Sequence, residues 1–180
     1  MVVRVLEKRK VKRARIRQPL DASIRYVPLT QGQKAIVDAE DYEWLMQWNW
    51  FSKWDDCTQS YYARRRVQEG DGIGGVHLGM HNALLGAFGG VIVDHVDGDT
   101  LNMRKQNLRI ATPGQNAWNH PTRKDNRLGV KGVRQKGRLF EVRIAVNGRR
   151  EGKTFTSVEE ALTWRYQMAA EKHGEFRRVA

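Results

Sequence analysis

The chain has 180 residues, enough for one ordinary domain or two small ones. Its 32 Lys and Arg against 20 Asp and Glu give a formal charge of +12, so the expected partner is a polyanion. A single cysteine excludes an intrachain disulfide and a cysteine-built zinc ribbon, and no run approaches the roughly 18 apolar residues of a membrane span.

In chain order, residues 1–19 form a basic arm, with eight Lys and Arg and the acid Glu7 among the first 18. Positive charge without an apolar signal core gives no secretion signal, and with the lone Cys57 this suits a cytoplasmic location. From Pro28 the texture turns globular. KAIVD (Lys34–Asp38) reads as a short strand, and Asp38 or Asp41 is placed to cap a helical turn carrying Tyr42, Leu45 and Trp48. Tyr61, Tyr62 and Ala63 suggest another strand before Arg64, Arg65 and Arg66. GVHLGMHNALLG has a roughly helical stripe in which His77 and His81, four apart, would share a face. Without a Glu base or a third ligand, that pair reads as packing and not as a metal site.

The chemistry concentrates in VDHVDGDTLNMRKQNLRIATPGQN, residues 93–116. Val91–Val93 favours a strand, Asp97-Gly98-Asp99 a turn, and Leu108–Thr112 a second strand. Thr112 then caps a helix with Pro113 in its first turn, where a missing amide donor does no harm. Two strands and a helix thus gather Asp94, His95, Asn107 and Asn116. Asp94 offers a carboxylate and Asn116 an amide oxygen, the hard ligands a single Mg²⁺ or Mn²⁺ prefers. His95, with an ordinary pKa of about 6.5, is available in neutral form to take a proton from water. Asn107 serves either to fix that ring or to tie the loop. Asn119 and His120 are offset alternatives to Asn116.

These residues resemble the HNH motif, the ββα-metal nuclease fold, in the version found in phage and homing endonucleases. The resemblance covers most of residues 28–120, including LTQGQKAIVDAEDYEWLMQWNWF and MHNALLG. It implies His95 as general base, Asn107 as its support, and Asp94 with Asn116 as ligands of one divalent metal. It also implies 5′-phosphate and 3′-hydroxyl products, and a bacterial or phage-infected host cytoplasm as the setting. Two departures stand out: the last motif position is Asn116 and not His, and Asn82 follows His81 where a basic residue is expected.

The last fifty residues read as a separate module. FEVRIA (Phe140–Ala145) alternates, Asn147-Gly148 is a hairpin turn, and Lys153–Thr156 makes a third short strand. Ser157 with Glu160 forms a capping-box signature before a helix that stops at Gly174. GVRQ (Gly132–Gln135), TF (Thr154-Phe155), EEA (Glu159–Ala161) and HGE resemble the AP2/ERF DNA-binding domain, whose sheet enters the major groove. Gly152-Lys153 and Arg165 depart from that pattern. Eleven Lys and Arg lie between Arg123 and Lys153, and Arg134, Arg138, Arg143 and Arg149 are the candidate DNA contacts.

The expected fold class is α+β. A basic arm (1–19) precedes an HNH nuclease domain (20–120), a linker (121–128) and an AP2-like three-stranded antiparallel sheet with one helix (129–180). The expected activity is metal-dependent hydrolysis of double-stranded DNA by a monomer or weak dimer, with no membrane association. A non-catalytic DNA-binding regulator is the alternative; an RNA-binding protein would share the charge but leave the 93–116 site unexplained.

Overall fold

The computed structural model describes residues 15–67, 77–120, 122, 126–146 and 149–176. Most of the basic arm, part of the 121–128 linker and the Asn147-Gly148 turn lie outside them. The chain divides into two compact units, Met1–Ile110 and Ala111–Ala180, so the division falls inside the 93–116 motif, before its helix.

The first unit opens on a hairpin of β1 (Ile24–Pro28) and β2 (Lys34–Asp38), paired antiparallel. Its turn closes through Gln33 N–H to Thr30 O at 3.1 Å, with positive φ at both Gln31 (56°) and Gly32 (68°). That is the type I′ pattern, whose twist matches the flanking strands. A 3₁₀ turn (Ala39–Asp41) and a single-turn helix α1 (Tyr42–Leu45) come next. Neither Asp38 nor Asp41 caps them with its side chain. The Asp38 carboxylate is drawn instead to Arg104 Nε (3.1 Å) and Lys105 N–H (2.8 Å), a charged and a backbone donor that outcompete the local cap.

A second sheet runs β3 (Phe51–Asp55), β4 (Ser60–Arg66) and β5 (His77–Gly79), in that order and antiparallel. Ser52, Ala63, Arg65 and Leu78 form its buried face. The helix α2 begins only at Met80 and ends at Leu85. His77 therefore stands on a strand, edge-to-face with Phe51 at 5.2 Å, and does not share a helix face with His81. Gly79 breaks the helical stripe there: a Cβ on it would meet Asn82 Oδ1 at 2.8 Å and His81 Cε1 at 2.9 Å. The core of this unit joins Val27, Val37, Leu45, Ala63, Met80 and Met103, all fully buried. Each of its larger side chains contributes about 1.5–3 kcal/mol by leaving water.

The two strands of the motif, β6 (Ile92–His95) and β7 (Leu108–Ala111), pair with each other and are lined by a small cluster of Ala87, Val93 and Leu108. The loop between them is held on the main hairpin. Ile36 N–H donates to Leu101 O (2.9 Å), Met103 N–H donates to Ile36 O (2.7 Å), and Met103 plugs the core. Thr100 Oγ1 also donates to Tyr61 O at 2.6 Å.

The second unit begins with α3 (Pro113–Asn119), capped as Thr112 and Pro113 lead one to expect. Thr112 Oγ1 accepts from Gln115 N–H, and Gln115 Oε1 accepts from Thr112 N–H. This helix is tied to the rest of its unit. Trp118 stacks on His173 at 4.1 Å and 11°, and Lys131 Nζ donates to the carbonyls of Ala117 and His120 (2.9 Å to the latter). Beyond it lie β8 (Val133–Lys136), β9 (Leu139–Val146) and β10 (Arg149–Phe155), an antiparallel sheet in the order β10-β9-β8, and one long helix α4 (Val158–His173). The expected three strands and a helix are present. Val133, Val142 and Ala161 form the centre of this core, with Phe140, Phe155 and Trp164 around it. Ser157 Oγ caps α4 by accepting from Glu159 and Glu160 N–H; its carboxylate partner is Glu159, one position earlier than the capping-box spacing.

Arg165 and Gly132 lock this module together. Arg165 Nε donates to Lys131 O at 2.7 Å, and Arg143 N–H donates to Gly132 O at 2.7 Å. Gly132 has φ +78°, and a Cβ there would fall 2.3 Å from Arg143 O. Backbone strain and a clash with backbone act together, so Gly132→Ala is expected to cost about 3 kcal/mol. Chemical denaturation of the full chain would measure it; a loss under about 1 kcal/mol would contradict so close an approach at the turn.

Candidate active site

Asp94 and His95 are the last two residues of β6, and both are buried, at 6 and 5 % exposure. Strand alternation points them to opposite sides of the ribbon. On the returning strand, Arg109 meets Asp94 through two donors on one carboxylate oxygen: Nε to Oδ2 at 2.9 Å and Nη2 to Oδ2 at 2.7 Å. The Asn-Leu-Arg run carries this cation, but nothing in the run itself pairs it with Asp94 until the two strands are aligned.

Asn107 is buried at the end of a 3₁₀ turn (Lys105–Asn107) and ties the loop. Its backbone O accepts from Val96 N–H (2.9 Å), and its Oδ1 accepts from Asp97 N–H (3.0 Å). Its Nδ2 donates to Asp97 Oδ1 and Asn102 O, both at 2.9 Å. Of the two roles open to Asn107, the structure shows the loop tie, which fixes the backbone one residue beyond His95. Asp97 and Asp99 are also absorbed by the turn: Asp97 accepts from Asp99 N–H and Asn102 Nδ2, and Asp99 accepts from Leu101 N–H. The loop's carboxylates therefore build the turn, whereas Asp94 is held apart by Arg109.

A neighbour expected only to pack stands beside the imidazole. His81, on α2, lies edge-to-face with His95 at 5.3 Å and with Tyr62 at 6.2 Å. Burial pushes His95 below its ordinary pKa, against the pull of Asp94, Asp97 and Asp99. Burial, then the His95 and Arg64 charges, push His81 down to about 3, offset in part by a hydrogen bond with Asn82. Both rings thus stand neutral near pH 7. Because the unfolded chain takes up the His81 proton near pH 6.5 and the folded one does not, stability is full above pH 6.5 and lost as pH falls toward 3. Between pH 7 and 5 the loss from this group is about 2 kcal/mol. His81→Phe keeps an aromatic ring and should remove most of that slope in denaturation at the two pH values; an unchanged slope would mean that His81 is not its source.

Asn116 lies in the first turns of α3, half-buried, within the second unit, as are Asn119 (buried) and His120 (exposed). The structure therefore gathers Asp94, His95 and Asn107 on the first unit. Among the described residues no three His, Cys, Asp or Glu side chains cluster as a closed metal cage would require. A catalytic Mg²⁺ needs no such cage, since it keeps waters and takes one or two protein oxygens. A buried carboxylate steadied by an arginine suits that chemistry.

In the C-terminal sheet, Arg134 and Arg143 share one face and both pair with Glu141, whose carboxyl they hold below its ordinary value by hydrogen bonding. Arg138 is exposed in the turn between β8 and β9. Arg149 pairs with Val146 and so belongs to the face of Val142 and Ile144, which the helix covers. Arg150, opposite Ala145, shares the Arg143 face.

Asp94 and His95 thus lie buried at consecutive positions of one ribbon whose loop is pinned by Asn107. The HNH endonuclease family matches residues 88–118. Protein 3.8 of Escherichia phage T7 is 33% identical over 91 residues, covering 49% of this chain and 75% of that protein. An uncharacterized HNH endonuclease of Acanthamoeba polyphaga mimivirus is 36% identical over 87 residues, covering 48% of this chain and 45% of that protein. The chain belongs to the HNH endonuclease family. No solved structure gives a significant match. Among the described residues no helix is long and apolar enough to cross a membrane.

Proposed function

We propose that this protein is a metal-dependent DNA endonuclease of the phage or homing type, with His95 as general base. The observation that carries the reading is the buried Asp94–His95 pair, held by Arg109 and the Asn107 loop inside the segment that matches the HNH endonuclease family. The nuclease part spans about residues 20–120, and the AP2-like module, about 129–180, serves to target it.

Asp94 and Asn116 would hold one Mg²⁺ or Mn²⁺, being oxygen donors of the hardness such an ion selects. When bound, the ion supplies charge neutralisation at the scissile phosphate and the departing oxygen. The protein does the rest. His95, kept neutral by burial, accepts the proton of the attacking water as the new P–O bond forms and the bond to the 3′ oxygen breaks, and the departing 3′ oxygen takes its proton from solvent. Asn107 keeps the loop from shifting the imidazole, and Arg109 keeps the Asp94 carboxylate oriented. The products carry 5′-phosphate and 3′-hydroxyl ends. One such site per chain nicks one strand, and a double-strand cut takes a second subunit or a second event.

Targeting falls to the exposed face of the C-terminal sheet, where Arg134, Arg143 and Arg150 stand beside Arg138 in the turn. Arg134 and Arg143 are more than half exposed, so their pairing with Glu141 adds little stability. It does hold two guanidinium groups side by side, ready to trade Glu141 for phosphate or guanine edges.

The test is direct. Supercoiled plasmid is incubated with the full chain and Mg²⁺ or Mn²⁺, with and without EDTA. Nicked circles that form only with metal are the expected result. Tight DNA binding without nicking under either metal would overturn the nuclease reading in favour of a DNA-binding regulator.

A further inference from the structure

The residue that follows His81 is Asn82, a neutral amide. Asn82 is engaged elsewhere. Its Nδ2 donates to Ala87 O (2.9 Å) and Val91 O (3.4 Å), closing the loop that leads into β6. A phosphate beside His95 needs its cation from another residue.

The solvent side of the β3-β4-β5 sheet offers one. Cross-strand pairing places Phe51 opposite Arg64, Lys53 opposite Tyr62, Arg64 opposite Gly79 and Arg66 opposite His77. These side chains alternate with the buried Ser52, Ala63, Arg65 and Leu78, so they share the other face. Lys53, Arg66 and His77 are exposed, and Phe51, Tyr62 and Arg64 are half-buried. The acid on this face, Asp55, is engaged by the turn after β3: its Oδ1 accepts from the N–H groups of Cys57 and Thr58, both at 3.0 Å. Three cations thus stand with two aromatic rings on one face, the combination that suits a nucleic-acid backbone.

This face leads to the candidate active site through a run of side-chain contacts. The Arg64 guanidinium lies 6.0 Å from the Tyr62 ring centre, Tyr62 lies 6.2 Å from His81, and His81 lies 5.3 Å from His95.

We propose that this face carries the backbone of the DNA strand being cut, with Arg64 as the cation that binds a phosphate beside His95. The proposal rests on the nuclease reading for the cutting, but not for the binding. Lys53 takes a second phosphate further along the same strand, and Tyr62 offers its ring edge between them. Arg64 is the specific member because a guanidinium presents paired donors to phosphate oxygens.

The test uses the full chain and two readouts: nicking of saturating supercoiled plasmid with Mn²⁺, and the salt dependence of plasmid binding in EDTA. Arg64→Ala should flatten the salt slope by about 0.9, the value for one phosphate contact. It should also slow nicking at saturation by about 10²-fold. Lys53→Ala should flatten the slope by a similar amount with a smaller effect on nicking. Arg64→Gln, which keeps much of the side-chain length without the charge, should repeat the slope change at the wild-type Tm, separating lost contact from lost folding. Arg64→Lys should restore the slope but not the full rate. A salt slope for both uncharged Arg64 variants equal to that of the wild type overturns the proposal, whatever the nicking rate. If the wild-type protein nicks nothing, the nuclease reading fails, and the slope alone still decides whether this face binds DNA.

Discussion

With His95 replaced by Ala, metal-dependent nicking is expected to fall by about 10²–10⁴-fold while DNA affinity stays near that of the wild type. The size follows from the single role assigned to the imidazole, which takes a proton from water at the moment of attack. Affinity should survive because His95 is 5 % exposed, whereas the DNA contacts proposed above are made by arginines and lysines elsewhere. The measurement is a single-turnover nicking rate with Mn²⁺ beside a binding isotherm in EDTA. His95→Gln, closer in size and polar, should be as inactive as the Ala variant, since an amide cannot accept the proton. Cleavage by both variants at the wild-type rate would remove His95 from the mechanism. A fall in affinity parallel to the fall in rate would instead make His95 a binding residue.

The local architecture around this site is legible in the sequence where short-range chemistry decides it. Thr112-Pro113 with Gln115 is a complete start signal for α3, and FEVRIA alternates in the way a half-buried strand must. His77 and His81 show the opposite case. Their spacing of four satisfies a helix, but Gly79 and the pairing of His77 with Arg66 put a strand there, a tertiary outcome that periodicity cannot see. Asp38 is similar: its capping position is correct, yet a partner 66 residues away claims the carboxylate. The face that Arg149 takes is set by its register against Val146 of β9, which the sequence of β10 alone does not show. The same limit hides the Asp94–Arg109 pair, which depends on how two strands align and not on either alone. Asn107 is readable as important but open in role, since one amide can serve a ring or a loop. Its four hydrogen bonds to Val96, Asp97 and Asn102 favour the loop.

Arg109→Ala should be the most destabilising single change near the site, costing about 3–5 kcal/mol. The Arg109 and Asp94 side chains are 13 and 7 % exposed, so removing the guanidinium leaves a carboxylate in a place that water reaches poorly. The cost is therefore the stranded charge more than the lost attraction. It follows that Asp94→Asn in the Arg109→Ala background should recover part of the loss, because the neutral amide is cheaper to bury. A double-mutant cycle by urea denaturation measures this coupling. Additive losses from the two changes would mean that the pair is not the unit it is taken to be. The same cycle bears on the metal. If Asp94 is a ligand, a divalent ion binds the folded Arg109→Ala chain and neutralises the stranded charge. Added Mn²⁺ should then raise the stability of that variant more than that of the wild type, where Arg109 already neutralises the carboxylate. In the Asp94→Asn, Arg109→Ala double variant the effect of Mn²⁺ should vanish. A Mn²⁺ effect that persists in the double variant would place the ion on other residues and take Asp94 out of the ligand set.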